Sequence, residues 1–269
     1  LLHELDIRGD FYLKKFLAVA AVALVTVAAL AGCAPQAIHN DGTFIAVSDA
    51  TDRGFVRAEV TIARDKITAV KLTEFDALGL EKGPNYGHAP FHTFLAEMPK
   101  RFVEKNSWDV DVVSQATGSS NRAKQAVLRA TQMARKTKTT AATMWDGTFM
   151  AISDRTERGW GIAWVTISDG KISRVVLHET RPAQERDAAG AVVMGPDGRA
   201  IVRKDAAGNV IFERKPADYA FAPYHEAIVE LPKRFVAKNS AQVDVFTGAT
   251  GTSNNSMQAV QRALDSAKR

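Results

Sequence analysis

An internal repeat constrains this chain more than any other feature. Asp41-Gly-Thr-Phe-Ile-Ala-Val-Ser-Asp49 returns as Asp146-Gly-Thr-Phe-Met-Ala-Ile-Ser-Asp154, displaced by 105 residues. The displacement holds through Arg53-Gly54 and Arg158-Gly159, and on to Glu74 and Glu179. A later run, Pro-Lys-Arg-Phe-Val-x-Lys-Asn-Ser, stands at 99–107 and again at 232–240. Each run precedes a hydroxyl-rich turn, Asp111-Val-Val-Ser-Gln-Ala-Thr117 or Asp244-Val-Phe-Thr-Gly-Ala-Thr250. The displacement there is 133, so copy two carries 28 extra residues between Glu179 and Tyr219. Self-similarity on this scale means that one structural unit is built twice. A length of 269 residues accommodates two small domains.

The pattern within each copy predicts an α+β fold: an antiparallel sheet with a few helices. Phe55–Ile62 and Trp160–Ile167 are rich in β-branched and aromatic residues and read as strands. Turns follow at Arg64-Asp65-Lys66 and Ser168-Asp169-Gly170-Lys171, then second strands at Ile67–Leu72 and Ile172–Leu177. Asp-Gly is a hairpin signal because glycine reaches positive φ at little cost. Pro99 and Pro232 suit the first turn of a short helix. Short strands are expected at Val110–Val113 and Val243–Phe246. A closing helix follows, with Met257, Val260, Leu264 and Ala267 on its core face. Turns at Gly195-Pro-Asp-Gly198 and Ala207-Gly208-Asn209 read the insert, about 181–214, as extra hairpin strands.

The amino-terminal stretch reads differently. Lys14-Lys15 precedes an unbroken apolar run from Phe16 to Ala29, then Leu30-Ala31-Gly32-Cys33. A basic region, an apolar region and small residues before a cut describe a secretory signal peptide. Leu-Ala-Gly-Cys is similar to the bacterial lipobox, which implies lipidation of Cys33. The resulting division is a signal peptide at 1–32, a tether at 33–40, repeats at 41–134 and 144–269, and a linker at 135–143. Cys33 is the one cysteine, so the chain has no intramolecular disulfide, no Cys-x-x-Cys-His haem site and no second thiol for a metal. The net charge of +5 includes Lys14 and Lys15 of the removed segment and gives little support to nucleic-acid binding.

The turn Thr247-Gly-Ala-Thr-Gly-Thr-Ser253 carries the chemistry. Small residues let backbone N–H groups approach a ligand, and a helix beginning there presents free amides and a positive dipole end. That combination suits a phosphate. The competing reading is an ordinary N-cap supplied by Thr252 or Ser253. The turn is not a P-loop, since no Gly-Lys-Ser/Thr follows at the required spacing.

The whole string resembles the flavinylation motif of the FMN-binding domain family. That family includes the FMN-carrying C and G subunits of Na⁺-translocating NADH:quinone reductase and Rnf complexes. The resemblance extends to the Asp-Gly-Thr-Phe opening, the Asp-Gly-Lys-Ile hairpin and the closing helix. It implies that a flavin transferase joins FMN, through its phosphate, to the hydroxyl of the last threonine. In copy two that acceptor is Thr250, with Asp244, Thr247, Gly248 and Ala249 matching. In copy one it is Thr117, with Asp111, Ser114 and Ala116 matching. Copy one departs at Gln115, where the family has glycine, so either modification at Thr117 or a hypomodified structural domain is open.

By this resemblance the chain is a membrane-anchored, extracytoplasmic electron carrier with up to two covalent FMN groups. Its partners are then the transferase, a membrane dehydrogenase or quinol as donor, and an extracytoplasmic acceptor. Alternatives are a lipid-anchored module holding FMN or another ligand noncovalently, and a terminal reductase. Tyr86-x3-Pro90-x-His92 and Tyr219-x3-Pro223-x-His225 offer a flavin contact or a histidine packed under the sheet. Glu97 and Glu230 read as solvent-facing acids at a helix start, and Trp145, Trp160 and Trp164 as core residues on strands.

Overall fold

The computed structural model describes residues 36–269. The expected signal peptide at 1–32 and the expected lipidation site Cys33 lie outside those residues. The elements run in the order β1 (Gly42–Val47), β2 (Phe55–Ala63), β3 (Lys66–Phe75), α1 (Ala89–Lys105) and α2 (Thr117–Ala134). The second copy repeats them as β4 (Gly147–Ile152), β5 (Gly161–Ser168), β6 (Lys171–Pro182), α3 (Ala222–Lys238) and α4 (Thr250–Ser266), with β7 (Phe212–Arg214) added. The sheets are antiparallel, ordered β1-β2-β3 and β4-β5-β6-β7. The fold is α+β, built twice.

Alternation builds the sheets. Val56, Ala58, Val60 and Ile62 of β2 are buried while their neighbours are half-exposed, the period of two of a strand with one face on a core. The predicted hairpin turns are present, with Asp169 at φ 52° and Gly170 at φ 70°. Copy one makes the same turn without glycine, at Arg64 (φ 51°) and Asp65 (φ 61°). Hydrogen bonds brace it there: the Arg64 N–H donates to Asp41 Oδ1 at 2.8 Å, and the His39 N–H to Asp65 Oδ1 at 2.7 Å.

The helices pack on one face of each sheet. Phe91, Phe94, Met98 and Phe102 form the buried stripe of α1, spaced for a 3.6-residue period. Pro90 and Pro223 occupy the first turns of α1 and α3. Pro99 and Pro232 lie inside 17-residue helices, which corrects the expectation of a short helix beginning at them. Of the expected core face of the closing helix, Val260 and Ala267 are buried and Met257 and Leu264 are half-buried against the core. Thr252, Ser253, Ser256, Ala259, Val260 and Ala263 are buried, and Met257 and Leu264 flank them. Small side chains let this helix lie close against β4 and β5.

The segments at 110–113 and 243–246 are not strands; the backbone there joins no ladder. Side chains take over its hydrogen bonds. Arg101 Nη1 donates to the carbonyls of Asp111 (3.0 Å) and Val112 (3.2 Å), and Arg234 Nη1 to those of Asp244 (3.0 Å) and Val245 (3.4 Å). The Val113 and Phe246 N–H groups donate to Ser120 Oγ (3.0 Å) and Ser253 Oγ (2.9 Å). With its polar groups satisfied this way, the segment needs no neighbouring strand.

The insert folds as turns joined by single bridges, Gln184 with Val202, Arg186 with Val192, Met194 with Ala200 and Lys204 with Val210. Only β7 extends the sheet, pairing Thr180 with Arg214 and Pro182 with Phe212. Trp145 and Trp160 are buried but stand just outside strands; Trp164 is within β5 and half-buried. Among the described residues no helix is long and apolar enough to cross a membrane.

Candidate functional site

The two phosphate-friendly turns end as equivalent uncapped helix starts. Helix α4 begins at Thr250 with Ala249 as its N-cap residue, and no side chain caps it. Helix α2 begins at Thr117 with Ala116 in the same role and again no side-chain cap. The N-cap reading of Thr252 and Ser253 is therefore corrected. Ser253 Oγ donates instead to the Ala249 carbonyl at 3.0 Å while accepting from Phe246, which pins the turn to the helix. Thr252 Oγ1 turns inward and donates to Glu179 Oε2 at 3.3 Å. The first amides of each helix remain available to an anion, with the positive end of the helix dipole behind them.

The residue before the buried alanine is left-handed in both copies. Gly248 has φ 82°, and Gln115 has φ 61°. The loop geometry is thus kept where glycine is missing, at a strain cost of about 1–2 kcal/mol for an L-residue. Thr247, Gly248, Thr250 and Asp244 are exposed, as are Ser114, Thr117 and Asp111, whereas Ala249 and Ala116 are buried anchors. Both candidate acceptor hydroxyls are open to a second protein.

A cavity opens beside each turn. In copy two it measures about 400 Å³ and is lined by Arg158, Trp160, Glu179, Lys215, Tyr219, Phe221 and the run 248–252. In copy one it measures about 470 Å³ and is lined by Arg53, Glu74, Lys82, Tyr86, His88, Gln115, Ala116, Gly118 and Arg122, among others. Thr250 lines its cavity directly; Thr117 stands between the liners Ala116 and Gly118. Both volumes fall in the range of small-molecule and cofactor sites.

A buried acid at the end of a sheet strand forms the wall of each cavity. Glu74, 1% exposed, receives Lys82 Nζ and Arg122 Nη2 on the same oxygen, each at 2.7 Å. Its other oxygen, Oε2, is buried with no hydrogen-bond partner. Glu179 receives Lys215 Nζ at 2.5 Å, with Thr252 and Asn255 completing its shell. Two cations thus balance the acid in copy one and a single cation in copy two. Each lysine also sits over a cavity tyrosine: Lys82 Nζ lies 4.8 Å from the Tyr86 ring centre, and Lys215 Nζ 4.6 Å from that of Tyr219. Burial pushes the phenol of Tyr224, beneath Lys215, above its ordinary pKa.

The repeated histidines brace loops, and the tyrosines of the same motif, Tyr86 and Tyr219, line the cavities. His92 Nε2 meets the Tyr86 carbonyl at 2.8 Å, and His225 Nε2 meets that of Tyr219 at 2.7 Å, so each ties the loop that carries the cavity tyrosine. Glu97 and Glu230 stand inside helices rather than at their starts. They pair with Arg101 (3.3 Å) and Arg234 (3.6 Å), steadying the two arginines that hold the motif carbonyls. Those arginines and the lysines Lys82 and Lys215 were not singled out from sequence, and Glu74 and Glu179 stood out only as equivalent positions of the repeat. A signal was present: Arg101 precedes Asp111 by ten residues, and Arg234 precedes Asp244 by the same ten.

The residues present fit a phosphate-bearing cofactor: an uncapped helix start, a small-residue cradle at Gly248, and a cavity with a partly neutralised ammonium in its wall. Among curated proteins none matches the chain. A crystal structure of a Clostridium perfringens protein, determined by a structural genomics consortium, is similar with 25% identity, covering 36% of this chain and 89% of that one at a TM-score of 0.32. The FMN-binding domain matches at residues 53–132 and again at 162–265, taking in both motif turns, and the chain therefore belongs to the FMN-binding domain family.

Proposed function

We propose that this flavin-binding protein is a membrane-anchored extracytoplasmic electron carrier, with FMN joined through its phosphate to Thr250 and to Thr117. The observation that carries the reading is the placement of Thr250: an exposed hydroxyl on the first residue of an uncapped helix, lining a cavity built around Lys215 and Glu179. FMN supplies two-electron acceptance combined with one-electron release. The chain's own residues do the rest. The first amides of α4 hold the phosphate, Gly248 lets the backbone approach it, and Lys215 places a positive charge in the wall. Arg234 holds the motif segment in place for a transferase that must read Asp244 and reach Thr250.

The threonine is a modification site and not a nucleophile acting on substrate. Cys33, lipidated, keeps the carrier at the membrane face, where a membrane dehydrogenase or quinol donates and an extracytoplasmic acceptor receives. A covalent tether suits that location, because a cofactor lost outside the cytoplasm is not readily replaced. The test is coexpression with a flavin transferase, followed by denaturing electrophoresis and membrane fractionation. Flavin fluorescence that stays with the denatured polypeptide, and a membrane fraction that Cys33→Ser abolishes, support the reading. Flavin released on denaturation supports the noncovalent module instead.

A further inference from the structure

The two cavities share a wall. Trp160 lines the copy-two cavity and is 2% exposed, and its Nε1–H donates to the Leu78 carbonyl of copy one at 2.8 Å. Ala77, the residue before Leu78, lines the copy-one cavity. One indole, one hydrogen bond and one peptide unit therefore connect the two sites.

The insert of copy two fastens this wall. Arg214, on β7, donates through Nη2 to the Ala77 carbonyl at 3.0 Å and lies over the Trp164 ring at 4.8 Å. Phe212 of the same strand packs on Trp160, ring centres 4.7 Å apart. In copy one the equivalent bridge pairs Phe75 with Glu81, so an acid stands where copy two has Arg214, and Gly79 stands where it has Phe212. Packing around the loop is close. A Cβ on Gly79, which has φ +77°, would come within 2.4 Å of Ile152 Cγ2.

We propose that Arg214 is a positioning residue that holds the two cofactor cavities at one fixed separation, and that Trp160 gives electron exchange between them a packed route. The proposal rests on the two-FMN reading. In such an exchange the donor cofactor is oxidised by one electron and the acceptor reduced by one. No bond forms or breaks, and no proton crosses the wall.

The test uses the full chain with Cys33→Ser, coexpressed with a flavin transferase, and nitroxide labels on cysteines introduced at Lys71 and Lys233, both well exposed. Pulsed electron paramagnetic resonance then reads the distance between the repeats. The parent gives one narrow distribution. Arg214→Ala broadens it, raising the undocked fraction about tenfold, the worth of one charge-assisted hydrogen bond, and Arg214→Lys restores part of the narrow peak. Photoreduction of the doubly flavinylated protein supplies a readout that docking alone does not move: Trp160→Phe loses the fast phase of electron redistribution while keeping the narrow distance. An Arg214→Ala distribution as narrow as the parent's overturns the proposal, and so does an unchanged fast phase in Trp160→Phe. Flavin content by mass spectrometry separates the two failures. A narrow distance without covalent flavin refutes the two-FMN reading alone, whereas two flavins with a broad parent distribution refute the shared wall alone.

Discussion

Arg234 donates to the carbonyl oxygen of Asp244 at 3.0 Å, and Arg101 stands in the same relation to Asp111, also at 3.0 Å. Two copies that differ in their third cavity cation, in an insert and in one motif residue keep this contact unchanged. It ties the exposed motif segment to the preceding helix, where no strand partner exists. Arg234→Ala is expected to cost about 1–2 kcal/mol of stability, the range for a hydrogen bond from a charged donor discounted for partial exposure. It also lowers flavin incorporation at Thr250 and leaves Thr117 unaffected. Urea denaturation and intact-mass analysis of the same preparation check both parts.

Gln115 occupies a left-handed position that glycine fills in copy two. Gln115→Gly removes about 1–2 kcal/mol of strain and adds about 0.5–1 kcal/mol of unfolded-state entropy. The expected net effect is a small stabilisation, with higher flavin occupancy at Thr117. Gly248→Gln in copy two has the opposite sign on both readouts. Thermal melts paired with mass spectrometry decide it.

The walls of the two cavities predict unequal responses to loss of their acids. Glu74→Ala leaves Lys82 and Arg122 as buried cations without their common partner and costs about 3–5 kcal/mol. Glu179→Ala frees only Lys215, beside the neutral Thr252 and Asn255, and costs less. Denaturant midpoints of the two variants give the order directly.

Much of this architecture was legible because it was written twice. The repeat predicted two α+β units, and the β-branched and aromatic content of 55–62 placed β2, one face of which is buried. The hairpin at Asp169-Gly170 followed from local turn chemistry. The segments 110–113 and 243–246 misled because β-branched composition cannot reveal that Arg101, Arg234, Ser120 and Ser253 supply the hydrogen bonds a strand would need. The face of the closing helix was legible in part: Val260 and Ala267 are buried, whereas Met257 and Leu264 flank the interface and serines and alanines fill the rest of it. The motif singled out Thr250, which lines the copy-two cavity. Glu179, Lys215 and Trp160 converge on its cavity from distant parts of the chain, and local patterns do not encode that convergence.

His178 packs edge-on against Trp164, ring centres 5.5 Å apart, and burial together with Arg214 holds its pKa below the ordinary value. The folded state therefore favours the neutral imidazole. As pH falls below the ordinary histidine range, the unfolded chain takes up a proton that the folded chain resists. Stability then decreases, and the loss levels off below the folded pKa. His178→Phe is expected to flatten the pH dependence of the denaturation midpoint in this window.

The central claim is tested most directly by intact-protein mass spectrometry of the chain coexpressed with a flavin transferase, beside Thr117→Ala and Thr250→Ala. The parent is expected to carry two FMN-minus-water increments, each lost with its own threonine. A parent with no increment, or increments that survive both substitutions, would contradict it.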